Sequence, residues 1–152
     1  MSDAATTLCR MRITIDDILH SFFLTESFGK TGTAYRRIRF IELSLRDYLE
    51  ESGSAILTSW DRALLALEMV DEPNGAFCRT MHADDLVFAL CGFLALSPLD
   101  PVDRRTQLRV AEHLIAFLTR CSLVDENEMA CQLLTVGAAI REGKRALSAR
   151  RN

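Results

Sequence analysis

Residues 86–96 read LVFALCGFLAL, eleven apolar or small residues without a charge. A membrane-spanning helix needs about 20 such residues. The run is therefore read as a core helix, hydrophobic on all sides and set in the middle of the fold. His82-Ala83-Asp84-Asp85 precedes it and supplies the acidic first turn that a helix N-terminus favours.

The segments on either side keep the helical period. On the N-terminal side, Thr14 and Asp17 form a cap pattern for a helix over about 15–26, with Ile15, Ile18, Leu19, Phe22 and Phe23 on one face. A loop through Gly29 and Gly32 follows. Thr33 is then expected to cap a helix that reaches about Glu51 and stops at Gly53, with Tyr35, Ile38, Ile41, Leu45, Tyr48 and Leu49 inward. Thr58 and Asp61 start a third helix, whose inward face is expected to carry Trp60, Leu64, Leu67 and Met69. On the C-terminal side, Asp100-Pro101-Val102-Asp103 places a cap, a first-turn proline and an acid in order. That helix runs to about Cys121 with Leu108, Ala111, Ile115 and Leu118 inward. Asp125 and Glu128 repeat the cap pattern before the last helix.

No segment alternates with β-branched enrichment, so no sheet is expected. The fold class follows: all-α, a single-domain bundle of about six mostly antiparallel helices around the central apolar one. The bundle is expected over 14–149, with a flexible segment at 1–13 and a tail at 150–152.

The chain has 152 residues, a net charge of -3 and 49% hydrophobic residues. Such a composition excludes disorder as the main state and gives no basic field for nucleic acid. The five cysteines form no C-x-x-C pair; four of them sit inside helical apolar patterns and read as small core residues of a reducing compartment. With no signal-peptide pattern at the start, the protein is expected in the cytoplasm, without membrane attachment. Sixteen Arg against two Lys reflect a GC-rich, bacterial coding bias and carry no physical signal.

Four constellations bear on chemistry. Gly29-Lys30-Thr31 matches the end of a phosphate-binding loop, but Leu24 stands where that motif needs its first glycine, and a helix precedes it where a strand is required. Cys78 and His82 have a spacing zinc could use, yet no second close pair completes a site. The histidines His20, His82 and His113 fall on separate segments, and nothing activates a nucleophile. The arginines Arg36, Arg39 and Arg46 cluster on one helix face, where Glu42 and Glu50, four residues either side of Arg46, neutralise them.

Carboxylates make the fourth. Asp47 and Glu50, with Glu51 beside them, lie on one helix, and Glu68 and Asp71 on the next. Residues three apart share a helix face, so two facing helices could offer these oxygens to magnesium. In these few residues the chain resembles the all-helical nucleotide pyrophosphohydrolases of the MazG type, whose motif is ExxE followed by ExxD. Asp47 stands where that motif begins with Glu. The resemblance implies a magnesium-dependent nucleotide pyrophosphohydrolase.

That reading and a nucleic-acid-binding regulator are the alternatives to the one preferred. The second alternative uses the basic C-terminal helix, where Arg141, Lys144, Arg145, Arg150 and Arg151 oppose only Glu142. The preferred reading is a non-enzymatic helical module for protein–protein or regulatory contact, most simply a homodimer, with no cofactor. Its motivation is apolar surplus at Phe40, Leu43, Leu65 and Met69, beyond the width one core face requires. The interface is expected on the last helix, along a seam of Met129, Leu133, Val136, Ile140 and Leu147.

Overall fold

The computed structural model describes residues 13–96 and 99–151. Residues 1–12, most of the expected flexible segment, and Asn152 of the tail lie outside these; Ile13 packs half-buried against the core. Seven α-helices account for most of the described residues, and none of these residues is in a strand. The helices are α1 (Ile15–Ser27), α2 (Gly32–Ser52), α3 (Ser59–Asp71), α4 (Ala76–Thr80), α5 (Ala83–Ala95), α6 (Pro101–Arg120) and α7 (Ala130–Ala149), with a 3₁₀ turn at Gly53–Ile56. The element beyond the expected six is the five-residue α4.

Most boundaries follow the caps. Thr14 and Asp17 form a capping box: Thr14 N–H donates to Asp17 Oδ2 (3.1 Å), and Asp17 N–H donates to Thr14 Oγ1 (3.3 Å). Asp100 Oδ1 accepts from the N–H groups of Val102 and Asp103, both at 2.9 Å, with Pro101 opening α6. Asp61 N–H donates to Thr58 Oγ1 at the start of α3. The start of α2 departs from expectation: the N-cap is Thr31, not Thr33, and no side-chain bond closes it.

The central helix is α5, which packs against α1, α2, α6, α7 and the 3₁₀ turn. Leu86, Val87, Leu90, Phe93 and Leu94 are buried. Its enclosure is incomplete, because Asp84, Phe88 and Ala95 lie on one exposed strip with Cys91 half-buried between them. The C-terminal carbonyls of a helix have no partner within it. Here α6 provides them: Gln107 Nε2 donates to Phe93 O (3.3 Å) and Arg104 Nη1 donates to Leu94 O (2.7 Å). Gln107, itself buried, takes a further bond from Arg104.

The last helix packs on α5 and α6 of its own chain. A Cβ at Gly143 would lie 2.8 Å from the Leu108 side chain, so the glycine lets α6 and α7 pack here without displacing it. Edge-on rings join α1 to α6, with Phe22 and Phe117 centroids 5.6 Å apart.

Candidate functional site

Two of the candidate carboxylates, Glu50 and Glu68, are committed to structure. Glu50 reaches across from α2 and accepts from the N–H groups of Phe77 and Cys78, both at 3.1 Å. It thus caps α4 from 27 residues away in sequence and does not pair with Arg46. Glu68 pairs with Arg79 at 3.3 Å, which ties α3 to α4. Among the described residues no three His, Cys, Asp or Glu side chains are placed to hold a metal ion, so Glu50, Glu68 and Asp71 are not brought to one point.

A groove of about 460 Å³ does lie between α2 and α4, lined by Asp16, Arg46, Asp47, Glu50, Cys78 and Arg79 among others. Its cations are already bound. Arg46 donates to Asp16 (2.7 Å) and Glu42 (3.3 Å). Burial alone would lower the Arg46 pKa, but the bond to Asp16 and the charge of Glu42 outweigh it, and the value is raised. Arg79 donates to the carbonyls of Asn74 and Glu72 as well as to Glu68. Burial, reinforced by Glu50, pushes the Cys78 thiol up to about 12. A thiol so shifted is not a nucleophile at neutral pH.

The basic C-terminus is partly neutralised. Lys144 pairs with Glu112 of α6 at 2.5 Å. Arg150 lines a groove of about 430 Å³ with Leu94, Leu99, Arg104 and Leu147. His113 is hydrogen-bonded to Glu26, and His20 lines a small cleft between α1 and α2, far from any paired base–nucleophile arrangement. Gly29 and Gly32 both have positive φ and simply turn the chain from α1 into α2.

The expected seam on α7 is largely internal. Met129, Val136 and Ile140 are buried, and Leu133 and Leu147 are partly buried against the same core. The helix does not project beyond the bundle, because α5 and α6 cover this side. Met129, Val136 and Ile140 cannot meet a partner without opening the fold, while Leu133 and Leu147 keep part of their surface exposed.

Apolar side chains are exposed on several elements, Phe40 and Leu43 of α2 among them, but they are densest on α3, where the expected orientation is reversed. Only Leu65 is buried, at 7% exposure. Trp60 (73%), Leu67 (69%) and Val70 (81%) face solvent, with Leu64 and Met69 also exposed. At 100° per residue, Trp60, Ala63, Leu64 and Leu67 form one stripe, and Leu65 sits about 140° away. Polar anchors hold the Leu65 side down. Arg62 donates to the carbonyls of Ser54 (3.0 Å) and Ala55 (3.2 Å), and Glu68 holds Arg79. The helix packs mainly on the short α4, so the rest of the bundle does not cover it. No protein-family model, no curated protein and no solved structure matches the chain.

Proposed function

We propose that the protein is a non-catalytic helical interaction module whose contact face is the outer stripe of α3. The observation that carries this reading is the inversion of α3: its one buried apolar side chain is Leu65, while its sole tryptophan and three leucine-sized neighbours face water. Covering a large apolar side chain is worth about 1.5–3 kcal/mol, so a helix with several left out has a strong gain waiting on a partner. Scattered exposed apolar residues are ordinary; a contiguous stripe at spacing i, i+3, i+4, i+7 is the pattern of helix-to-helix docking. The use of Glu50 in capping and of Glu68 in pairing favours this reading over nucleotide hydrolysis, and the Lys144–Glu112 pair takes one cation from the basic tail.

Site-specific photo-crosslinking in the native cell tests it. A benzophenone side chain at position 67 is expected to give covalent protein adducts, and one at position 134, exposed on α7, is expected to give none above background. Equal yields at both positions would sink the interaction reading.

A further inference from the structure

We infer that the occupant of the α3 stripe is a second copy of this chain, docked antiparallel about a two-fold axis near residues 64–66. The inference rests on the reading of α3 as a contact face and names its partner.

The residue pattern is self-complementary in one direction. Written as a heptad, Trp60 and Leu67 occupy the a positions, and Ala63 and Val70 the d positions. Leu65 then falls at f, opposite the seam, and that is the side held against the protein's own core. An antiparallel pair sets each a against a d of the other copy. Trp60 then meets the partner's Val70, and Leu67 meets the partner's Ala63. Each layer combines a larger with a smaller side chain. A parallel pair would stack Trp60 on itself and Ala63 on itself, giving one overfilled and one hollow layer.

Charge permits the pairing. The flanking e and g positions are Ser59, Leu64, Ala66 and Asp71, so only Asp71 at the rim carries a charge. A two-fold contact sets each flank against its own copy, and like charges there would oppose it. Ser59, Leu64 and Ala66 present none. The bundle's acidic and basic side chains on α3, Asp61, Arg62 and Glu68, fall at b and c, away from the seam.

Area sets the size class of the contact. Trp60, Leu64, Leu67 and Val70 together expose on the order of 500 Å² per chain, so two copies reach about 1,000 Å², the lower limit for a specific contact. A contact at this limit is of the weak, reversible kind.

The test uses light scattering on the whole chain and two single variants, Leu67→Lys and Ala63→Glu, both at solvent-facing positions where the monomer loses no packing. The unaltered chain is expected to move from 17.1 kDa in dilute solution to twice that mass on concentration. Each variant alone is expected to stay monomeric with helix content unchanged, its dissociation constant raised about a hundredfold. Mixed, they are expected to recover a heterodimer, because only in the mixture does antiparallel docking set the ammonium introduced at position 67 against the carboxylate introduced at position 63. A constant 17.1 kDa at all concentrations overturns the second-copy proposal. So does a mixture of the two variants that stays monomeric. If position 67 still crosslinks, but to a different protein, the partner inference fails while the interaction reading stands.

Discussion

Glu50 shows how a single residue can mislead in sequence and explain itself in structure. Its spacing from Asp47 suggests a metal ligand, and its spacing from Arg46 suggests a salt bridge. Instead both carboxylate oxygens serve the first N–H groups of α4. A five-residue helix cannot sustain itself, so its position depends on such an outside cap. Glu50→Gln is expected to cost about 1–2 kcal/mol in urea unfolding, and Glu50→Ala up to about 3 kcal/mol. Magnesium is expected to leave the melting temperature unmoved; a rise that vanishes in Glu50→Gln would restore the metal reading. Cys78, beside it, makes a pH prediction. Its thiol pKa is raised from 9.0 to about 12 by burial and by Glu50. Above 9.0 the unfolded chain releases this proton and the native chain keeps it, so the native state binds more protons and stability falls as pH rises. The contribution is full below 9.0 and lost by about 12. Unfolding free energy is expected to fall more steeply than in Cys78→Ala, by about 1.4 kcal/mol per pH unit across that range. Parallel profiles would contradict it. At neutral pH an alkylating reagent should label the exposed Cys121 and Cys131 and spare Cys78 until the chain unfolds.

At the scale of elements, the central run and the caps were readable because each is a local signal. An uncharged run of eleven residues has few places to go, and Asp100-Pro101 or Thr14 with Asp17 marks a helix start by short-range bonding alone. Phe93, buried on α5 with Tyr48 tilted against it at 5.8 Å, is expected to cost about 3–5 kcal/mol on truncation to Ala. The orientation of α3 was not readable, since both of its arcs carry leucine and periodicity cannot say which arc meets the core. What decides is non-local: Arg62 reaching the Ser54 and Ala55 carbonyls, and Arg79 arriving from α4 to take Glu68. Nor could periodicity anticipate Gln107, a polar residue drawn into the core by the open carbonyls at the end of α5. The two arcs of α3 give an internal control. Leu65→Ala is expected to destabilise by about 2–3 kcal/mol, and Leu67→Ala by under about 0.5 kcal/mol in the dilute monomer. Chemical denaturation of both variants checks the orientation.

For the whole molecule, the seam of α7 and the stripe of α3 exchange their expected places. Met129, Val136 and Ile140 complete the intrachain core with α5 and α6, while the helix read as inward-facing turns most of its large apolar side chains to solvent. No helix among the described residues is long and apolar enough to cross a membrane. Trp60 is the chain's one tryptophan, so its fluorescence reports on the α3 stripe without a label. In dilute solution Trp60 is expected to emit at the wavelength of indole in water and to be quenched freely by acrylamide. On concentration the emission should move to shorter wavelength and the quenching fall, in step with the mass. A short-wavelength, unquenched emission from the dilute 17.1 kDa chain would contradict the account, because it would place Trp60 in the core.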